Sequence, residues 1–231
     1  MTWVNAGDRL ARYAGTFYQR RLADPCAIRR TNGARVEAIR IIHDEHRSLA
    51  AVLHGMLYLV RDIRLRAISP RFELFGAMIY YIDAFPERFH HPKEDAYLFK
   101  FLKMRCPDAT PLIDQLEMEH RAGAEKVRTL EQALGRYQQG GAREFPAFAE
   151  AVQAYAAFHW DHMRAEEDKL LPLARIHLTA DDWKEIDAVF VGNTDPLFGA
   201  EAGAEYDALF RRIVNLAPPP IGVGPTAEST P

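Results

Sequence analysis

Cysteine is scarce in this chain of 231 residues: Cys26 and Cys106 are the only two, far apart and outside any C-x-x-C spacing. That argues against a disulfide framework or a zinc ribbon and points to a reducing compartment. Long apolar runs are missing as well. No stretch approaches the roughly 18 consecutive apolar residues that a membrane helix needs. The N-terminal segment is broken by Asp8, Arg9 and Arg12 before the core of a secretory signal can develop. The expectation is a cytoplasmic protein with no membrane partner. Neither sign of charge dominates, since 29 Lys+Arg against 32 Asp+Glu leave a net charge of −3. No global basic field therefore attracts nucleic acid, which is not an expected partner. The chain has no G-x-G-x-x-G after a strand, no Walker motif, no G-x-S-x-G and no H-E-x-x-H, so nucleotide-dependent and hydrolytic mechanisms lack a handle. Alternating apolar and polar runs with hairpin turn chemistry are also missing, which argues against a sheet.

What the chain does have is helical periodicity. Ile39, Ile42, His46, Leu49, Leu53, Met56, Val60 and Ile63 alternate in steps of three and four along one seam. A second seam runs through Phe72, Phe75, Ile79, Ile82, Phe89, Leu98 and Phe101. A third runs through Leu112, Leu116, His120, Gly123, Val127, Leu130 and Leu134, and a fourth through Phe148, Val152, Tyr155, His159, His162, Glu166, Leu170 and Leu173. Pro or Gly interrupts the pattern at Ser69-Pro70, between Cys106-Pro107 and Pro111, and at Gly140-Gly141. Four long helices with short connections predict an all-α, up-down-up-down four-helix bundle over residues 36–178. Residues 1–35 read as an arginine-rich extension with turn signals at Asp24-Pro25 and Asn32-Gly33. Residues 179–216 read as short extra C-terminal helices. The first opens with Thr179 and Asp182 in capping-box spacing, and the last covers about 204–216. The Pro- and Gly-rich stretch 217–231 reads as a disordered tail.

The chemistry lies where histidines fall on apolar seams. A lone histidine on a core face is usually a hydrogen-bonded core residue, but His46, His90, His120 and His162 converge from four helices. Burying several imidazoles with carboxylates is costly unless something compensates them, and a metal ion does so directly. Glu94 follows His90 by four residues and Glu166 follows His162 by four, so each pair stacks on one helix face. An internal duplication supports the set. Glu45-His46-Arg47 recurs as Glu119-His120-Arg121 after 74 residues (120 − 46), and His90 and Glu94 recur as His162 and Glu166 after 72 (162 − 90, 166 − 94). Two metals related by a pseudo-twofold axis are the natural content.

These residues resemble the hemerythrin-like, or HHE cation-binding, domains over roughly residues 36–178. The matching segments are HDEHRSL (His43–Leu49), FHHPKEDAYLF (Phe89–Phe99), LEMEHR (Leu116–Arg121) and HWDHMRAEEDKLLP (His159–Pro172). The resemblance implies that His46, His90, His120 and His162 are terminal metal ligands and that Glu94 and Glu166 bridge. It further implies two iron ions, joined by an oxo or hydroxo bridge. Oxygen-carrying hemerythrins have a further histidine one turn after the first on helix three, where this chain has Ala124. Two residues are candidates for that fifth nitrogen. His159 sits one turn before His162, and His91 sits beside His90, a position that some family members use. The alternative for each is an imidazole that supports a ligand or lies at the surface. His43 reads the same way, Asp95 and Glu167 read as supporting or solvated, and His54 and His177 as unrelated to the site. Phe89, Tyr97, Tyr155 and Phe158 form an apolar wall, and the Tyr97 hydroxyl is within reach of the site's surroundings. Pro86 and Pro92 should kink or interrupt helix two, and the resemblance, whose relatives typically carry the same HHPKE run, implies a tolerated kink. If the helix restarts there, His91 replaces His90 while Glu94 stays.

Counting donors leaves a position open on the metals, where oxygen, peroxide or nitric oxide can bind. The expected function is a non-haem di-iron protein that binds or senses oxygen or a related small ligand. The alternatives are a di-iron oxidoreductase acting on peroxide, oxygen or nitric oxide, and iron storage or delivery. No residue is assigned a catalytic role, and no protein partner is legible.

Overall fold

A computed structural model describes residues 36–66 and 68–192 and, singly, 211, 213, 215 and 217. The extension expected over 1–35 lies outside the described residues. The helix expected over 204–216 and the tail expected over 217–231 lie almost wholly outside them, although Ala217 is buried against the bundle core. The described residues are helical, with no strand among them.

Four rods form the bundle. The first is α1 (Glu37–Arg66), with Glu37 in its first turn and Arg64 and Arg66 in its last, the arrangement the helix dipole favours. The second rod is built from α2 (Phe72–Ile82), a π segment (Asp83–His90), α3 (His91–Lys93), a second π segment (Glu94–Phe99) and α4 (Lys100–Arg105). The third is α5 (Thr110–Gly140), with Pro111 in its first turn, where a missing N–H costs nothing. Gly141, at φ 68°, takes the left-handed turn that ends it. The fourth rod comprises α6 (Phe145–Ala165), a π segment (Glu166–Leu170) and α7 (Leu171–His177).

The second rod is not interrupted at its prolines: of the two expected outcomes, the chain tolerates them by a local change of helix geometry. A proline ring collides with the carbonyl four residues back and cannot donate, and both problems ease when the helix widens to i→i−5 bonding. The His91 N–H accordingly reaches the Pro86 carbonyl. The widening carries an extra residue into the turn, and His90 and His91 are both buried as a result. The same solution appears on the fourth rod, where a π segment starts at Glu166 and precedes Pro172.

The apolar side chains form two clusters rather than one. The first joins Leu49–Val60, Leu74–Phe89, Val127–Tyr137 and Phe148–Met163, with Phe75 set edge-on to Phe148 at 4.9 Å. The second joins Ala38, Ile39 and Ile42 with Leu98, Phe99, Leu102, Ile113, Leu116, Leu170, Leu171 and Ala174. The start of rods one and three therefore shares an end with the finish of rods two and four, which is the up-down-up-down order. A short helix, α8 (Ala180–Gly192), closes the second cluster with Trp183, Ile186 and Phe190. Its expected capping box is present: Thr179 Oγ1 accepts from the Asp182 N–H at 3.2 Å, and Asp182 Oδ2 accepts from the Thr179 N–H at 2.8 Å. Asp187 of α8 in turn accepts from the Ala38 N–H at 2.7 Å, satisfying an otherwise orphan donor at the start of α1. No helix among the described residues is long and apolar enough to cross a membrane.

Candidate metal centre

Between the two apolar clusters lies a buried polar layer. His46 comes from α1, His90, His91 and Glu94 from the second rod, His120 from α5, and His159, His162 and Glu166 from the fourth. Glu94 and Glu166 have no solvent exposure, and none of their four carboxylate oxygens accepts a hydrogen bond. Around them imidazole nitrogens converge in pairs. His46 Nε2 lies 3.2 Å from His90 Nε2, and His120 Nε2 lies 3.1 Å from His162 Nε2. Glu166 Oε2 is 3.3 Å from His46 Nε2 and Oε1 is 3.3 Å from His162 Nε2, so this one carboxylate reaches both pairs. Glu94 Oε2 does likewise, at 3.3 Å from His90 Nε2 and 3.7 Å from His120 Nε2.

Two ligand groups emerge, each with donor atoms within 4.8 Å of one another: His46, His90, Glu94 and Glu166, and His120, His162, Glu94 and Glu166. Both carboxylates belong to both groups. Buried acceptors without donors, facing imidazole lone pairs, are what a cation would satisfy, and mixed nitrogen and oxygen donors suit first-row transition ions. The donor set therefore fits the metal pair that the motifs imply.

Each of the four imidazoles is held from behind. The Nδ1 of His46 faces Glu167 at 3.1 Å, that of His90 Glu45 at 2.7 Å, that of His120 Asp95 at 2.7 Å, and that of His162 Glu119 at 2.8 Å. With the proton on Nδ1 pointing at a carboxylate, Nε2 is the free ligand atom. The carboxylates also follow the duplication, Glu45 with Glu119 (119 − 45 = 74) and Asp95 with Glu167 (167 − 95 = 72).

Protonation follows from this geometry. Burial disfavours the His90 imidazolium, but Glu94 and Glu45 outweigh it and raise its pKa to about 10. His162 is raised to about 10 against burial by Glu166 and Glu119, and His120 to about 9 by Asp95, Glu166 and Glu94. Burial works to raise the Glu166 carboxyl, yet His162, His120 and His46 hold it well below the usual carboxylate range. Without metal, protons take the places that cations would fill.

The two candidates for a fifth nitrogen separate. His91 joins His120 and His162 in a third group of donors within 4.8 Å, its ring stacked on that of His120 at 4.0 Å. Burial, with His120 nearby, pushes its pKa well below 6.5, which keeps a lone pair available. His159 joins no such group and lies against Glu87, 3.6 Å from Oε1. His43 reaches only Glu167, at 3.2 Å. His54 lies tilted against Trp160 and His177 is exposed, and neither joins a ligand group. Phe89 and Tyr155 are buried beside the layer and Phe158 stacks on His162 at 6.3 Å, whereas Tyr97 packs with the second apolar cluster.

Sequence reasoning missed four residues. Glu45 and Glu119 were visible inside the repeated Glu-His-Arg triplet, but a residue adjacent to a helical ligand normally faces away from it. Glu87 falls outside the matching segments and has no counterpart carboxylate in the duplication. Lys93 is buried with its Nζ over the Phe89 and Phe190 rings at 4.0 and 4.8 Å, and 3.6 Å from Glu45 Oε1. Only the fold brings α8 over it.

The chain matches the sequence profile of the hemerythrin HHE cation-binding domain over residues 37–174. It belongs to that family and is a metal-binding protein. Comparisons with curated proteins and with solved structures returned no match.

Proposed function

We propose that the protein is a non-haem di-iron protein that binds or senses oxygen or a related small ligand such as nitric oxide, in the cytoplasm. The observation that carries this reading is the sharing of Glu94 and Glu166 between two groups of imidazoles. A lone structural ion needs one such group, whereas two groups with common carboxylates suit a bridged pair. His46 and His90 would hold one iron and His120, His162 and His91 the other, three nitrogen donors against two. Bound iron supplies a redox-active position, left open on the side with fewer donors, at which a small ligand can bind.

The chain's own part is to keep that position dry and fixed. Apolar clusters close the layer on both sides, and the outer carboxylates fix every ring. Nothing resembling a substrate cleft for a larger molecule is required.

The same donors serve an oxidoreductase consuming peroxide, oxygen or nitric oxide, or an iron store, because identical ligands support different chemistry. The deciding experiment is anaerobic reconstitution with ferrous iron, with the optical spectrum followed as oxygen is admitted and then removed. An oxygen-dependent band that disappears on deoxygenation is expected. Irreversible conversion to a ferric species would overturn the carrier or sensor reading in favour of turnover, and binding of fewer than two irons would overturn the bridged pair.

A further inference from the structure

The duplication that relates the ligands of the two halves fails at three neighbouring positions beside them. Position 87 is Glu where its counterpart, 72 residues later, is His159; position 91 is His where its counterpart is Met163; and Gly123 stands where its counterpart, 74 residues earlier, is Leu49. The odd residues touch. Glu87 Oε2 lies 3.5 Å from His91 Nδ1, and Glu87 Oε1 lies 3.6 Å from His159 Nε2 and 3.5 Å from the Tyr155 hydroxyl, which donates to it. A Cβ on Gly123 would come within 2.2 Å of Glu87 Oε2, so the carboxylate occupies the notch that this glycine leaves on α5. His91 Nδ1 and both ring nitrogens of His159 are buried without a hydrogen bond, and Glu87 is the carboxylate that faces them.

The comparison with the other four imidazoles gives this arrangement its meaning. Each of those has a carboxylate behind Nδ1 that the duplication supplies in matched pairs. His91 belongs to no matched pair. Its carboxylate comes from one turn earlier on its own rod and fits only because the facing rod has no side chain at 123. A ligand imidazole needs its far nitrogen held in this way, since that contact fixes both tautomer and ring orientation.

We propose that Glu87, seated in the Gly123 notch, is a positioning residue that holds His91 toward His120 and His162, and so makes the two metal positions unlike. The proposal rests on the two-iron reading above and adds to it the means by which one iron gains its third nitrogen. On the opposite side Met163 stands in place of His91 and Leu49 in place of Gly123, which denies the first iron an equivalent.

The test is Mössbauer spectroscopy of full-length protein loaded anaerobically with ferrous iron-57, with iron counted by elemental analysis. Wild type should bind two irons and show two unlike sites in equal amounts. His91→Met, which restores the duplication, should make the two sites alike. Glu87→Ala should do the same with His91 still present, and so should Gly123→Ala, which removes no polar group and displaces the carboxylate. Glu87→Gln retains an oxygen for the His91 Nδ1–H and should keep the sites unlike. Gly123→Ala improves helix propensity and so guards against a misfolded Glu87→Ala, with helical circular dichroism as the check. If Glu87→Ala and Gly123→Ala keep two unlike sites while His91→Met merges them, Glu87 does not position His91. If wild type binds two irons in like sites, the inference fails and the two-iron reading survives. If wild type binds one iron or none, the two-iron reading itself fails.

Discussion

Loading the metal-free protein should expel protons, and the number follows from the geometry of the centre. His90 and His162 have pKa values raised to about 10 and His120 to about 9, in each case because neighbouring carboxylates overcome the burial that opposes charge. His46 is raised as well, by Glu166 and Glu167 against burial. At pH 7 each Nε2-to-Nε2 pair, His46 with His90 and His120 with His162, therefore holds an extra proton that one imidazole donates to the other. A metal requires the Nε2 lone pair, whereas the Nδ1 proton can stay on its outer carboxylate. Binding two divalent ions at pH 7 should therefore release about two protons, one from each pair, and the overall association constant should rise roughly a hundredfold per pH unit. Anaerobic calorimetry with ferrous iron, in buffers that differ in protonation enthalpy, reads the number directly from the slope of apparent enthalpy against buffer enthalpy. The slope should shrink once the pH passes about 10, where His90 and His162 have already lost their protons. A slope near zero at pH 7 would refute the reasoning, because the imidazoles would then stand neutral before metal arrives.

Three further outcomes follow from the same structure. Metal-free protein should lose stability as pH rises from about 6.5 through about 10, since a pKa raised by folding stabilises fully only below its unfolded value. Glu87 and Glu167, lowered to about 2 by their histidines against burial, add stability that is present above about 4.5 and lost as pH falls toward 2. His91 and His159, lowered by burial, cost stability once the pH falls below about 6.5, so urea midpoints in chelator should be highest near pH 6.5, and a midpoint that climbs between pH 7 and 10 would contradict this. Glu94→Ala and Glu166→Ala should each lower metal content, while Glu167→Ala, which removes only the support behind His46 and His43, should keep two ions with affinity reduced about 10- to 100-fold. Equal affinity in all three variants, measured by competition with a chelator, would remove the distinction between bridge and support. Asp182→Ala deletes the acceptor for the Thr179 N–H and for two Arg105 bonds, and should cost about 1–2 kcal/mol in denaturant unfolding with metal stoichiometry unchanged.

Periodicity made the bundle legible because each rod is amphipathic and its apolar stripe has one place to go. The same stripes named the inward histidines, since an imidazole in an apolar seam stands out as chemistry. The outer carboxylates were harder to see. Glu45 and Glu119 sit one residue before a ligand, on a face that a single helix would turn to its neighbour or to water, and only the rod packed beside it supplies the imidazole they meet: His90 for Glu45 and His162 for Glu119. That contact is tertiary, and no spacing within one helix encodes it.

The prolines show the opposite case, where a local rule leaves two outcomes open and the fold selects one. Pro86 does forbid ordinary helical bonding, and the chain answers by widening the turn rather than breaking it. Breaking would have forced a choice between His90 and His91. Widening brings both into the buried layer, one facing His46 and one stacked on His120. On the two-iron reading proposed above, the extra nitrogen would come from His91 on the second rod, while the third rod carries Ala124 one turn after His120. A motif search that looks for a fifth histidine only on the third rod would pass over His91, which the widened turn of the second rod carries into the buried layer.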